Sequence, residues 1–238
     1  MNARSYLVVP ADRPEQFDKA YASGADVVVL DFEDSVASHA KTAARETVAR
    51  WLTGRRRVAL RINGSASEWF RDDLLFCNRP GISAIVVPKA EEAVGLREVA
   101  AAAPGAALLP LIETARGFEA MPLLARTKGV TRLLFGTVDF RLDLGITGED
   151  EELLYFRSQM VLVSRLANLA APVDGVCAST ADDSRVCGDT MRAKRIGFGG
   201  KLCIHSKQIS TINECFRQSR DERAAALDVR TTISTGET

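Results

Sequence analysis

Eight short runs rich in β-branched and aliphatic residues recur along the chain, each followed by a longer polar or amphipathic stretch. The runs cover residues 6–10, 26–33, 57–63, 84–90, 107–114, 132–139, 172–179 and 200–206. Helical patterns fill residues 15–22, 40–52, 91–102, 153–169 and 184–195 between them. In the last two, apolar residues return at spacings of three and four, as one face of a helix requires. Segments such as Val27-Val28-Val29-Leu30 and Ile85-Val86-Val87 are apolar at every position. That pattern belongs to parallel strands covered by helices on one side and packed core on the other. Gly24, Gly54, Gly81, Gly105 and Gly129 fall where helices should stop, and glycine tolerates the left-handed conformation that ends a helix.

Eight consecutive βα units of about thirty residues predict a closed (β/α)₈ TIM barrel, an α/β fold, rather than an open sheet. A doubly wound sheet announces a glycine-rich phosphate loop after its first strand. Here Ala11-Asp12-Arg13-Pro14 stands at that place. The barrel domain is expected over residues 1–217. Residues 140–148 read as a loop with a helical turn. Residues 218–238 read as a tail, helical over 220–229 and frayed beyond.

Composition removes several classes of function. Basic and acidic residues balance at 31 each, and no basic run exceeds Arg55-Arg56-Arg57. A nucleic-acid binder normally carries a basic excess. No apolar stretch reaches membrane-spanning length, and residues 1–5 hold no leader core. Five cysteines without a Cys-x-x-Cys pair predict reduced thiols and a cytoplasmic setting. The two histidines, His39 and His205, cannot build a multi-imidazole zinc site. A metal here would take oxygen ligands, which favours magnesium, manganese or calcium. No Gly-x-Ser-x-Gly elbow supports a serine hydrolase.

Chemistry in such a barrel sits at the C-terminal ends of the strands. Ionisable side chains crowd those ends: Asp31, Glu33 and Asp34 on the second, Arg61 on the third, Lys89 on the fourth, Glu113 on the fifth, Asp139 on the sixth and His205 on the eighth. Burying unpaired charge costs several kcal/mol, so this clustering calls for a polar active site. Glu113 and Asp139 lie 26 residues apart, one βα unit. That places them on neighbouring strands, about 4.8 Å apart. Two such carboxylates share a proton or hold a cation; alternatively, one of them pairs with Arg116. The Arg61 fork suits a substrate carboxylate or an enolate oxygen, or neutralises Glu33 and Asp34. Glu33 and Asp34 position Arg61 or a water, though Asp34 equally caps the loop. Lys89 binds an anion or lines the rim. His205 is an acid/base group or simply closes the last strand. Gly197-Phe198-Gly199-Gly200-Lys201 departs from a phosphate loop, since no Ser or Thr follows the lysine and a strand follows the glycines. It reads as a tight turn.

Seven collinear segments resemble the citrate lyase beta-subunit-like proteins of the HpcH/HpaI aldolase/citrate lyase family. They are Leu7-Val8-Val9-Pro10-Ala11-Asp12-Arg13-Pro14-Glu15, Leu30-Asp31-Phe32-Glu33-Asp34-Ser35-Val36, Leu60-Arg61-Ile62-Asn63, Val87-Pro88-Lys89, Leu111-Ile112-Glu113-Thr114-Ala115-Arg116-Gly117, Phe135-Gly136-Thr137-Val138-Asp139-Phe140 and Gly199-Gly200-Lys201-Leu202-Cys203-Ile204-His205. The resemblance implies a barrel of the phosphoenolpyruvate/pyruvate superfamily type. It implies magnesium held by Glu113 and Asp139, and an oxo acid bound by Arg61. It further implies a homotrimer acting on a coenzyme A or acyl-carrier thioester, releasing an acyl thioester and a 2-oxo acid. Ser206 stands where many relatives have proline, and residues 218–238 lack the lid segment that the resemblance implies for longer relatives. The expected site therefore places Arg61, Glu33 and Asp34 in catalysis, Arg61, Glu113 and Lys89 on the substrate, and Glu113 and Asp139 on the metal. The rival expectations are an aldolase for free 2-oxo acids and a non-catalytic oxo-acid-binding subunit or sensor.

Overall fold

A computed structural model describes residues 3–180 and 182–217. The tail expected over residues 218–238 lies outside them. The strands are β1 (Ser5–Pro10), β2 (Val27–Asp31), β3 (Val58–Arg61), β4 (Ile82–Val87), β5 (Ala107–Ile112), β6 (Leu134–Phe135), β7 (Val173–Asp174) and β8 (Gly200–Cys203). Each pairs parallel with the next, and β8 returns to β1, closing the barrel. The helices are α1 (Pro14–Tyr21), α2 (Lys41–Trp51), α3 (Phe70–Phe76), α4 (Ala93–Ala102), α5 (Ala115–Leu124), α6 (Thr137–Leu144), α7 (Leu154–Leu166), α8 (Asp183–Ile196) and α9 (Gln208–Cys215).

Period-two alternation sorts strand side chains into two layers. Tyr6, Val29, Ala59, Val86, Leu109, Leu111, Leu134, Val173 and Leu202 form a cluster of their own that fills the barrel. Their neighbours Leu7, Val28, Leu30, Leu60, Ile85, Leu108 and Ile112 pack outward against the helices in a larger cluster. The same alternation carries functional side chains to the rim. Val27 and Val29 face inward, so Asp31 does too; Ala59 is followed by Arg61, and Leu109 and Leu111 by Glu113. The five glycines at the expected helix ends all have positive φ, from +74° to +103°.

The observed strands stop short of the sequence expectation at their C-terminal ends. Glu33 and Asp34 follow β2 in a loop, Asn63 follows β3, and Lys89 follows β4. Asp139 is the clearest correction. It stands in the first turn of α6, three residues past Gly136, and not at the end of a strand. The β-branched pair Thr137-Val138 extends the strand pattern on paper, but Gly136 makes the last ladder bond to the Ile112 carbonyl and then caps the helix. α3, α5 and α9 were not read from the periodicity. α3 has only seven residues and α9 only eight, too few for a pattern to declare itself, and α5 carries Pro122 inside.

Gly197 ends α8 with φ +112°, and Lys201 is 1% exposed on β8. Lys201 bonds Asp174 at 3.2 Å and Asp189 at 2.6 Å, while Arg157 bonds Asp174 at 3.0 Å. This buried network between β7, β8, α7 and α8 removes Lys201 from any ligand, in keeping with the tight-turn reading. Among the described residues, no helix is long and apolar enough to cross a membrane.

Candidate active site

The rim over β2, β3, β4 and β5 gathers five of the predicted side chains into one network. Asp31 and Arg61 are register partners on β2 and β3, both facing inward. Arg61 Nε and Nη2 donate to the two Asp31 carboxylate oxygens, each at 2.6 Å. Asp31 is fully buried. Besides the guanidinium it accepts the backbone N–H of Glu33 at 2.9 Å and of Ser35 at 3.2 Å, and the Ser35 hydroxyl. Beside Arg61, and with these donors on it, the carboxyl is held below the usual range, although burial pulls the other way. Fork geometry fixes the guanidinium plane and leaves Nη1 facing Glu33 Oε2 at 3.3 Å and Asp34 Oδ2 at 3.9 Å.

The loop after β2 is fixed from behind. Buried Lys41 on α2 donates to the carbonyls of Phe32 and Glu33, at 2.7 and 3.0 Å. Buried Asp73 on α3 accepts the Asn63 backbone at 2.8 Å and its side-chain amide at 2.7 Å. Arg45 neutralises Asp73 at 2.8 Å. Glu33 is thereby held almost buried, with the Lys89 ammonium on its Oε1 at 2.5 Å. Burial pushes the Glu33 carboxyl up to about 7, against the pull of Arg61 and Lys89.

Glu113 is 1% exposed. Its Oε1 accepts the Lys89 backbone N–H at 2.7 Å, and its Oε2 has no hydrogen-bond partner. Lys89 adopts φ +45°, a left-handed conformation that a side chain normally avoids. Burial, with the neighbouring Glu33 charge, pushes Glu113 up to about 8. A buried acceptor left bare costs about 1–3 kcal/mol, more when it is charged. The Oε2 atom lies against Gly136, where a Cβ would meet Glu113 Cβ at 2.5 Å and Oε2 at 2.6 Å. Gly136 opens α6, whose first turn carries Asp139. Asp139 is partly buried and has no hydrogen bond or ion pair to a described residue. The alternative pairing of a carboxylate with Arg116 does not form: Arg116 is exposed and makes no ion pair among the described residues. So a bare carboxylate oxygen stands just past β5, and an unpaired carboxylate stands in the first turn of the helix that follows the adjoining strand β6. Oxygen donors of this kind suit a hard divalent cation that keeps several waters.

A cavity of about 810 Å³ opens beside these charges, between the loops after β2, β3 and β4. Glu33, Asp34, Lys89, Asn63 and Trp69 line it, whereas Arg61, Glu113 and Asp139 do not. Glu113 and Asp139 thus lie outside this room, and Glu113 meets its wall through the backbone of Lys89. His205 is exposed, and its Nδ1 accepts the Lys207 backbone N–H at 3.1 Å.

Sequence reasoning gave Arg61 two acidic partners, Glu33 and Asp34, and missed Asp31 as the principal one. The signal was present, because period-two counting from Val27 puts Asp31 on the inner face opposite Arg61. Lys41 and Asp73, which hold the loops, left no pattern of their own.

The sequence model of HpcH/HpaI aldolase/citrate lyase matches residues 4–206. The chain belongs to this family. A citrate lyase subunit beta-like protein of Deinococcus radiodurans is 35% identical, over 94% of this chain and 83% of its own length. A (3S)-malyl-CoA thioesterase of Cereibacter sphaeroides is 30% identical, over 92% of this chain and 79% of its own. Among solved structures, the CitE protein of Mycobacterium tuberculosis, in complex with magnesium, acetoacetate and coenzyme A, superposes with a TM-score of 0.83. It is 29% identical and covers 99% of this chain and 88% of its own. The family's closed barrel is the fold found here.

Proposed function

We propose that this member of the family is a magnesium-dependent carbon–carbon lyase. Its substrate is a hydroxyacyl thioester of the citryl, malyl or citramalyl type, cleaved to an acyl thioester and a 2-oxo acid. The single observation that carries the reading is the bare Glu113 Oε2 against the helix turn that presents unpaired Asp139. Glu113 and Asp139 would hold the ion. When bound, magnesium supplies Lewis-acid polarisation of a substrate oxygen.

The remaining work falls to the chain's own side chains. Arg61, held by Asp31, offers Nη1 to the carboxylate of the oxo-acid portion and to oxygen charge that grows as the bond breaks. Glu33 titrates near neutral pH and lies at the cavity wall, so it is suited to take the hydroxyl proton in cleavage and return it in condensation. Lys89 keeps the Glu33 and Glu113 carboxylates apart: its ammonium holds one and its backbone N–H the other. Asp34, exposed at the rim, adds negative charge beside Glu33 and favours its protonated form. The cavity of about 810 Å³ accepts the acyl portion or the thioester arm. Assembly as a homotrimer in the cytoplasm completes the proposal. It is supported by the family resemblance.

The malyl-CoA thioesterase relative favours a second reading, hydrolysis of the same thioester. One experiment separates them. The chain is incubated with malyl-, citramalyl- and citryl-coenzyme A and magnesium, and products are resolved by chromatography. An acyl-coenzyme A with glyoxylate, pyruvate or oxaloacetate supports the lyase. Free coenzyme A with the intact hydroxy acid supports the hydrolase. Turnover of free hydroxy-oxo acids alone would replace both with an aldolase.

A further inference from the structure

We propose that Cys187 and Cys215 form a reversible intrachain disulfide that staples α8 and α9 around the strand that closes the barrel. Cys187 sits in the second turn of α8, and Cys215 is the last residue of α9. Their sulfurs stand 3.0 Å apart, across 28 residues of chain. An S–S bond of about 2.05 Å is reached by closing that gap by roughly 1 Å. The other three cysteines, Cys77, Cys177 and Cys203, are buried, whereas these two are partly exposed. An oxidant therefore reaches this pair before the rest.

The chain enclosed by the bond contains β8, whose pairing with β1 closes the barrel. It also contains Gln208, the buried first residue of α9. Gln208 Oε1 accepts the backbone N–H of Ile204 and His205, and its Nε2 donates to the carbonyls of Cys177 and Ser179. One side chain of α9 thus ties together the loops that follow β7 and β8. A covalent tie from α9 to α8 holds that element in place when the barrel begins to open.

The oxidant is a two-electron acceptor such as hydrogen peroxide. Its O–O bond breaks as one thiol of the pair becomes a sulfenic acid with release of one water. The facing sulfur, 3.0 Å away, then attacks the sulfenic sulfur, the S–S bond forms, and a second water leaves. Both thiol protons end in water. Burial and the facing thiol push Cys215 up to about 12. A dithiol returns the pair to the reduced state by exchange.

The test treats the full chain with hydrogen peroxide, removes the oxidant, and counts thiols after unfolding. Five free thiols should fall to three, and peptide mapping should join the Cys187 peptide to the Cys215 peptide within one chain. Closing a loop of this length should raise the melting temperature by several degrees, and dithiothreitol should reverse the rise. Cys187→Ser should lose both the cross-link and the rise, while Cys177→Ser keeps them. An unlinked map, a link between two chains, a link that leaves the melting temperature unchanged, or the same rise in Cys187→Ser overturns the proposal. None of these readouts uses turnover.

Discussion

Replacing Asp31 by Asn should unfasten Arg61 while leaving the shape of the barrel rim unchanged. The two bonds from Arg61 to Asp31 are each 2.6 Å, and Asp31 is fully buried. Asparagine offers one acceptor in place of two and turns an N–H₂ toward a guanidinium N–H. A hydrogen bond to a charged group contributes about 1.5–3 kcal/mol, and breaking a buried pair from one side costs about 3–5 kcal/mol. The Arg61 side chain retains 16% exposure and has Glu33 Oε2 at 3.3 Å, so part of the loss is recovered. The expected net cost is about 2–3 kcal/mol, which is roughly a 30- to 150-fold fall in kcat/KM if Arg61 binds the reacting oxo acid. The assay is steady-state cleavage of the thioester substrate, with pyruvate affinity measured by calorimetry at saturating magnesium. Pyruvate should bind correspondingly more weakly, while magnesium affinity measured alone should hold. A folded Asp31→Asn variant with unchanged pyruvate affinity and turnover would refute the positioning of Arg61 by Asp31.

Further outcomes follow from the same geometry. Gly136→Ala drives a Cβ to 2.6 Å from Glu113 Oε2; overpacking should cost about 1–3 kcal/mol in a urea melt and weaken magnesium binding by calorimetry. Glu33→Gln should lower kcat by about 10²- to 10⁴-fold with little change in pyruvate affinity, as loss of a proton carrier does; equal losses in binding would assign Glu33 to the substrate instead. Asp174→Asn leaves Lys201 and Arg157 buried without their shared anion and should cost about 3–5 kcal/mol. The Asp174 carboxyl is held below its ordinary value by Lys201 and Arg157, in spite of its burial. Its contribution is therefore complete above the unfolded value and is lost as pH falls through the folded one. The variant should show a shallower decline of stability on acidification than the parent, followed by denaturant midpoints from neutral pH downward.

The barrel was legible because its signal is repetition. Eight apolar runs, both faces hydrophobic, with left-handed glycines between them, leave few other folds open. The candidate site was legible where period two reaches the strand ends: Asp31 and Arg61 close β2 and β3 on the inner face, and Glu113 follows β5 one step beyond the apolar filling. Glu33 continues that count but leaves the strand, and only Lys41, bonded to its carbonyl, shows why the loop keeps it buried. Asp139 was identified as a candidate but assigned the wrong support, because Thr137-Val138 reads as strand until Gly136 is seen to open a helix. The contact between Cys187 and Cys215 was invisible in the sequence, since 28 residues and a strand separate two short helical patterns.

The central claim is that Glu113 and Asp139 hold a divalent ion through which the oxo acid is bound. Calorimetric titration of pyruvate, with and without magnesium, into the parent chain, Glu113→Gln and Asp139→Asn tests it most directly. Magnesium-dependent binding in the parent alone is the predicted result. Equal pyruvate binding in all three chains, unaffected by magnesium, would contradict it.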